Sequence, residues 1–242
     1  MNGKTSNPHP ITPQVRRAVA RWTVRTAVGV AVYGALIFLP AGTLSWLWGW
    51  AFLAVLVAVM AAHPLVMVPA NPEVLVEREK GLWNAGVKTW DKWITAVAGG
   101  LMPLPWIVAG LDLRLQWTAP LPLGLHLGGL LVTVLGYALF LWAMASNAFF
   151  AQGVRIQAER GHAVAAGGPY RVVRHPGYAG TILTQLAVPF LLGSPWALLP
   201  AGLSALLFVV RTRLEDKMLM DELPGYPEYA RRTPFRLVLQ VW

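Results

Sequence analysis

Runs of apolar residues alternate with polar connectors along the chain, and six of them are long enough to suggest helices. A helix needs about 20 residues to cross a bilayer core of about 30 Å, and four runs come close to or exceed this length. These four runs lie at residues 26–43, 46–68, 93–111 and 123–149. The last two, 178–192 and 196–210, are shorter and are separated by Gly193, Ser194 and Pro195. Because glycine and proline end helices, we predict a helix-turn-helix hairpin over 178–210.

The predicted fold is an all-α polytopic membrane bundle of five to six hydrophobic helices, capped by a cytoplasmic C-terminal tail. Composition agrees, since 56% of the residues are hydrophobic, 13% are charged and the mean hydropathy is +0.51. A soluble domain would carry about a quarter charged residues. We divide the chain into a transmembrane bundle, 1–150, and a second region, 151–242, that holds the hairpin and the tail. The absence of cysteine excludes disulfides, thiol catalysis and cysteine-ligated metal, and no cleaved signal peptide is predicted.

The basic residues predict an orientation. The formal net charge is +9, and every Lys and Arg except Arg114 falls in alternate connectors. This asymmetry places both termini on the cytoplasmic side. The basic residues do not form a stripe beside aromatic residues, so we expect contacts with membrane lipids rather than nucleic acid. No obligate protein partner is evident.

Two polar blocks interrupt the apolar pattern. The first, at 168–180, combines arginines, a histidine and tyrosines, and Pro176 begins a helix whose N-terminus suits an anion. The second, at 211–216, places Arg211 and Glu215 one helical turn apart, as in a surface ion pair. Glu215 and Asp216 are also adjacent carboxylates at the mouth of a membrane helix, where they could hold a cationic ligand. No metal-site pattern and no GxGxxG motif is present, and Gly124 and Gly128 form one GxxxG, a weak helix-packing signal.

Together the two blocks resemble the isoprenylcysteine carboxyl methyltransferase family and its bacterial relatives. The resemblance covers roughly residues 147–236. The residues on which the resemblance rests are Gly168-Pro169-Tyr170, Arg174-His175-Pro176-Gly177-Tyr178, Gly180, Arg211, Glu215, Asp216, Leu219, Gly225, Tyr226 and Tyr229.

The resemblance implies a membrane methyltransferase that binds S-adenosylmethionine on its cytoplasmic side, with 151–242 as the catalytic region. It implies catalytic roles for Arg174, Arg211 and Glu215, with Arg211 facing the methyl acceptor. The implied cofactor-binding residues are Gln157, His162, Ala163, Val164, Ala165, Tyr170, His175, Pro176, Gly177, Tyr178, Glu215 and Asp216. A carboxylate favours a sulfonium cation, and a guanidinium can hold an acceptor carboxylate in a fork.

The acceptor is expected to be a small lipophilic molecule, with a carboxylate as the first choice because it needs no general base at pH 7. The family usually has two glutamates where this chain has Glu215 and Asp216. A cysteine-free chain of this organisation looks like a protein of the bacterial inner membrane, where prenylated protein substrates are not expected. Alternatives are a phospholipid or amine N-methyltransferase, a sterol-reductase-like enzyme that uses NADPH, and a non-catalytic membrane protein. The carboxylate pair favours the sulfonium cofactor over NADPH.

Overall fold

Nine α-helices form the fold in a computed structural model, which describes residues 12–238, 240 and 242. Within that part of the chain there is no β-strand, so the predicted all-α class is confirmed. The helices are α1 (Pro13–Ala41), α2 (Leu47–Ala70), α3 (Pro72–Glu79), α4 (Thr89–Leu101), α5 (Leu104–Leu115), α6 (Leu123–Ala145), α7 (Pro176–Leu192), α8 (Leu198–Glu222) and α9 (Tyr226–Arg232).

Five helical segments are long and apolar enough to cross a membrane, which identifies an integral membrane protein. They are Pro13–Ala41, Leu47–Ala70, Thr89–Leu115, Leu123–Ala145 and Pro195–Glu222. The sixth, α7, is apolar but has only 17 residues. The predicted hairpin is confirmed: α7 ends at Gly193, whose φ of 83° is left-handed, and the 3₁₀ turn Pro195–Ala197 leads into α8.

Several helix ends differ from those predicted, because hydropathy marks the apolar part of a helix rather than its full length. The first helix begins at Pro13, where the Thr12 side chain accepts a hydrogen bond from the Val15 N–H, rather than at residue 26. The last long helix continues to Glu222, well past the predicted end at residue 210. Polar residues end the membrane-compatible stretch but keep favourable helix propensity. Conversely, α6 stops at Ala145 instead of continuing to 149.

The third apolar run is divided into two helices. Between α4 and α5, Pro103 lacks an N–H and cannot continue the helix hydrogen-bond ladder. The two helices still form one continuous apolar segment, Thr89–Leu115.

Helices α6 and α7 pack closely along their length because glycines remove side chains at the contact. A Cβ atom built on Gly129 would lie 2.9 Å from the Leu191 Cα, and one on Gly136 would lie 2.8 Å from the Gly180 carbonyl oxygen. The glycines of the predicted GxxxG pair do not take part, since added Cβ atoms on Gly124 and Gly128 would meet open space. This packing fixes the end of α6 against the start of α7, where the first polar block lies.

Candidate active site

A cavity of about 280 Å³ lies at the end of the bundle where α6 ends, α7 begins and the polar part of α8 runs past them. The two polar blocks, which are far apart in the sequence, meet at its wall. The predicted site residues that line it are His162, Ala163, Val164, Ala165, Tyr170, Arg174, His175, Gly177, Tyr178, Arg211 and Glu215.

Three predicted cofactor residues, Gln157, Pro176 and Asp216, lie outside the cavity lining. The Gln157 amide donates to the Phe149 carbonyl at 2.7 Å and accepts from Arg160 at 2.5 Å, so it braces the loop behind the cavity wall. Pro176 begins α7 and sets the direction of that helix. Direct cofactor contacts for these residues remain predictions.

Asp216 is the centre of a buried polar cluster beside the cavity. Its carboxylate accepts hydrogen bonds from Arg236 at 2.8 Å, from the Tyr226 hydroxyl at 2.9 Å and from Arg174 at 3.1 Å. The His175 Nε2 lies 3.3 Å from the same carboxylate. The two adjacent acids therefore have different surroundings, because Asp216 is already bound by cations whereas Glu215 faces the cavity.

The C-terminal tail closes on the first polar block. The backbone N–H groups of Arg174 and His175 each donate at 2.9 Å, to the carbonyls of Phe235 and Arg236 respectively. The Tyr229 hydroxyl donates to the Tyr170 carbonyl at 2.7 Å. The tail therefore folds as the predicted cap, and its contacts hold the residues of the block in place.

Glu215 is the only acidic residue that lines the cavity within the described ranges. The Tyr178 hydroxyl donates a hydrogen bond to its carboxylate. The Arg211 guanidinium lies 5.0 Å from the centre of the Tyr178 ring, a cation–π distance. The same wall of the cavity therefore carries one carboxylate and one guanidinium, separated by a tyrosine.

Arg211 is held by a residue that the sequence analysis did not identify. Its Nε and one terminal nitrogen donate to the carboxylate of Asp91, at 2.6 and 3.1 Å, and that nitrogen also reaches the Gln152 carbonyl at 2.8 Å. Asp91 is fully buried at the start of α4 and also accepts from the Val154 N–H at 2.7 Å. The expected partner one turn away, Glu215, is not paired with Arg211. A lone aspartate 120 positions away offers no motif that could have revealed it.

Four arginines line the cavity, and three of them have carboxylate partners. Arg155 donates to Glu77 at 2.5 Å, Arg174 pairs with Asp216, and Arg211 pairs with Asp91.

Arg78 is the fourth, and it makes no side-chain hydrogen bond or ion pair with any residue that the structure describes. Its guanidinium carbon lies 5.7 Å from the centre of the Phe150 ring. Burial, and then the charge of Arg211, lower the pKa of Arg78 to about 10, so it remains a cation at pH 7.

The loop before α7 supplies aromatic surfaces. The rings of Phe149 and His162 lie 4.6 Å apart, and the Gln157 N–H donates to Nδ1 of His162 at 3.2 Å. Burial, together with the charges of Arg155 and Arg160, lowers the pKa of His162, so the ring is neutral at pH 7. Burial also raises the pKa of Tyr170, which is therefore un-ionised.

The start of α7 forms part of the cavity wall. The first N–H groups of a helix have no intrahelical acceptor and carry the positive end of the helix dipole. Gly177 lies in this first turn and lines the cavity, and an added Cβ atom would lie 2.9 Å from the Phe150 ring. The absence of a side chain at Gly177 therefore lets the Phe150 ring, which also lines the cavity, pack against the first turn of α7.

Comparisons with known proteins agree with this placement. Residues 129–221 match the family model described as the isoprenylcysteine carboxyl methyltransferase (ICMT) family. The chain is also 29% identical, over 119 residues, to the cobalt-zinc-cadmium resistance protein CzcN of Cupriavidus metallidurans. That similarity spans 49% of this chain and 50% of the relative, so it covers about half the length of each. Within the described residues there is no group of three His, Asp or Glu side chains that could hold a metal ion. The resemblance predicted from the two polar blocks is confirmed: from Gly129 to Asp221 the chain matches the isoprenylcysteine carboxyl methyltransferase family.

Proposed function

We propose that this protein is a membrane methyltransferase that transfers a methyl group from S-adenosylmethionine to a small lipophilic acceptor, a carboxylate. The observation that carries the proposal is a single cavity in which Tyr170, His175 and Tyr178 of one polar block face Arg211 and Glu215 of the other. The family match over 129–221 includes both blocks and supports the same chemistry.

The residues present fit S-adenosylmethionine. Glu215 is a partly buried carboxylate inside the cavity and suits a sulfonium cation. The N-terminus of α7, which lines the cavity at Gly177, suits the carboxylate of the amino-acid part. Phe149 and Tyr170 offer aromatic surfaces for the adenine. When bound, S-adenosylmethionine supplies a methyl group on a positively charged sulfur.

The protein contributes orientation and exclusion of water rather than acid–base chemistry. Methyl transfer to a carboxylate needs no general base, because the acceptor is already ionised at pH 7. An acceptor bound along Arg211 would face Glu215 across the Tyr178 ring. Such positioning is the main source of acceleration that a cavity of this kind offers.

The proposed arrangement in the membrane follows from the charge pattern. Five helical segments are long and apolar enough to cross, α7 is shorter, and the cavity lies at the end that carries nearly all the basic residues. We place this end on the cytoplasmic side of a bacterial inner membrane, where the cofactor is available. The acceptor then enters from the lipid.

The test is isothermal titration of the detergent-purified protein with S-adenosylmethionine, S-adenosylhomocysteine and NADPH. We expect the adenosyl compounds to bind and NADPH not to bind. Binding of NADPH alone would move the protein to the reductase class, and binding of none would support a non-catalytic protein.

Glu215→Gln should weaken S-adenosylmethionine binding by about 10-fold or more, since a hydrogen bond or contact with a charged group contributes about 1.5–3 kcal/mol. Glu222→Gln is the matched control, because Glu222 lies on the same helix and pairs with Lys88 at the surface. Unchanged affinity in the Glu215 variant would contradict the cofactor assignment. Arg211→Ala should leave cofactor affinity nearly intact but abolish transfer to a carboxylate.

A further inference from the structure

Asp91 joins three parts of the cavity wall although it does not line the cavity itself. It is fully buried at the start of α4 and lies outside the family match. Its carboxylate accepts hydrogen bonds from Arg211 of α8, from the Val154 N–H and from the Thr95 hydroxyl, the last at 3.3 Å. All three donors belong to residues that line the cavity. Asp91 therefore sets how this wall is arranged without contacting a ligand.

The hydrogen bonds of Arg211 leave only one of its nitrogens for a ligand. A guanidinium has five N–H groups, one on Nε and two on each terminal nitrogen. The Nε N–H and one Nη2 N–H donate to the two oxygens of Asp91, and the other Nη2 N–H donates to the Gln152 carbonyl. Among the described residues Nη1 has no hydrogen-bond partner, and Arg211 lines the cavity. The two N–H groups of Nη1 are therefore the ones that a ligand can use.

This arrangement prevents Arg211 from binding a carboxylate in a fork. In a fork, two parallel N–H groups on different nitrogens reach the two carboxylate oxygens. Either fork of a guanidinium needs an N–H of Nη2, and in Arg211 both of these are already taken. A carboxylate that contacts Nη1 alone is bound through one oxygen. Because Asp91 also neutralises the charge of Arg211, this contact directs the ligand more than it attracts it.

Binding through one oxygen suits methyl transfer to a carboxylate. In the transfer a bond forms between one carboxylate oxygen and the methyl carbon, the carbon–sulfur bond breaks, and its electron pair stays on the sulfur. No proton moves. The carboxylate loses its charge in this step, so hydrogen bonds to both oxygens would stabilise the reactant more than the transition state. An acceptor held by one oxygen keeps the lone pairs of the other oxygen free to attack.

We propose that Asp91 is a positioning residue for methyl transfer, because it holds Arg211 so that Nη1 binds one oxygen of the acceptor carboxylate and leaves the other oxygen free. Asp91 acts through Arg211 and contacts neither the acceptor nor the cofactor. This inference rests on the proposed methyltransferase function, which it extends by defining how the acceptor is oriented. The same carboxylate also fixes the Val154 N–H, so one buried group holds both Arg211 and the loop beside it.

The experiment uses the full-length protein in nanodiscs, without cofactor, and octanoate labelled with ¹³C at its carboxyl carbon. Infrared difference spectra, corrected with empty nanodiscs, give the separation between the antisymmetric and symmetric stretching bands of the labelled carboxylate. Contact through one oxygen makes the two C–O bonds unequal and widens this separation, whereas a fork keeps them equal. We expect a wider separation for bound octanoate than for octanoate in water. This measurement needs no variant, so it tests the proposal even if the Asp91 variant does not fold.

Asp91→Asn should change the binding mode, since the amide offers one neutral acceptor in place of two charged oxygens. Arg211 can then offer its charge and a fork, so the band separation should narrow and octanoate should bind about 10-fold more tightly. With S-adenosylmethionine present, kcat for methyl octanoate should fall by about the same factor, because tighter binding of the reactant alone raises the barrier. A purely structural role would instead weaken binding and turnover together. Asp221→Asn is the matched control, since Asp221 is exposed on α8 and lies outside the cavity lining.

The double variant Asp91→Asn with Arg211→Met shows whether octanoate binds at Arg211. It lacks the cation, so it should bind octanoate about 10-fold more weakly than Asp91→Asn alone. Equal binding by the two variants would overturn the inference.

Titration of S-adenosylmethionine into the same samples reports on folding and keeps the two proposals distinguishable. In protein that binds S-adenosylmethionine, the role of Asp91 is overturned if octanoate binding does not saturate or if its bands are no wider apart than in water. It is also overturned if Asp91→Asn leaves the separation and the affinity unchanged. Octanoate bound through one oxygen in a protein that does not bind S-adenosylmethionine would overturn the methyltransferase function instead.

Discussion

Replacing Asp91 with asparagine should be among the most damaging conservative changes in this protein. Asp91 is fully buried and binds Arg211 through both carboxylate oxygens, while the Val154 N–H and the Thr95 hydroxyl donate to the same group. The amide of asparagine has nearly the same shape but carries no charge. Arg211, only 7% exposed, would therefore remain as an uncompensated buried cation.

Breaking a buried ion pair by removing one partner costs about 3–5 kcal/mol. For a chain of 150–250 residues each kcal/mol lowers Tm by about 2–4 °C, so Asp91→Asn should lower Tm by roughly 6–20 °C. The assay is thermal unfolding in detergent, followed by near-ultraviolet circular dichroism. Glu228→Gln serves as the control, because its ion pair with Arg231 is exposed and such pairs contribute about 0–1 kcal/mol.

A double-mutant cycle separates the ion pair from the general effect of a buried substitution. Arg211→Met removes the cation that Asp91→Asn leaves unpaired, so the double variant should be more stable than the two single losses predict. Coupling of about 0.5–3 kcal/mol is typical of residues in direct contact, and this pair belongs at the upper end. A Tm for Asp91→Asn within about 3 °C of the wild type, or a coupling near zero, would refute the reasoning.

Three further outcomes follow from the packing and the charges. Gly136→Ala should lower the free energy of unfolding by about 1–3 kcal/mol, because its Cβ would lie 2.8 Å from a backbone oxygen of α7. Gly128→Ala should be neutral, since its Cβ would meet open space. Equal effects of the two changes in thermal unfolding would contradict the close-packing account. Gly177→Ala should weaken S-adenosylmethionine binding in a titration more than it lowers Tm, and the reverse order would place this residue in the fold rather than in the site. His162 has a lowered pKa, so its contribution to stability is complete above pH 6.5 and is lost as the pH falls below that value. His162→Gln should therefore show a smaller loss of Tm between pH 7.5 and 5.5 than the wild type, and an identical loss would exclude this role.

The fold could be predicted from hydropathy because six apolar runs leave few alternatives to a membrane bundle. The helix ends could not be predicted in the same way, because a helix can continue beyond its apolar residues. Arg16, Arg17 and Arg21 belong to α1, and Asp216 and Glu222 belong to α8, although all of them lie outside the apolar runs. The sequence shows Pro103 but did not predict that the helix is interrupted there, because the apolar pattern continues across it.

The site could be predicted only where polar residues are clustered. Eleven predicted residues, seven of them in the two blocks, line one cavity, because the family motifs carry their relative placement. Asp91, Glu77 and Arg78 could not be predicted as site residues because they lie outside the two polar blocks and belong to no motif. The arginines that pair with Glu77 and Asp91 lie 78 and 120 positions away, and such pairings depend on the tertiary fold rather than on spacing.

The placement of the charges explains how one cavity can serve two oppositely charged ligands. Glu77, Asp91 and Asp216 neutralise three arginines from outside the cavity, so among the described residues Glu215 and Arg78 are the acidic and basic groups of the lining that have no ion-pair partner. In the proposed reaction a cationic donor and an anionic acceptor become two neutral products. A low-dielectric cavity favours such a loss of charge, since the reactants lose more hydration than the transition state does. After transfer the donor product carries no sulfonium charge, so Glu215, which we propose binds the donor, also promotes its release.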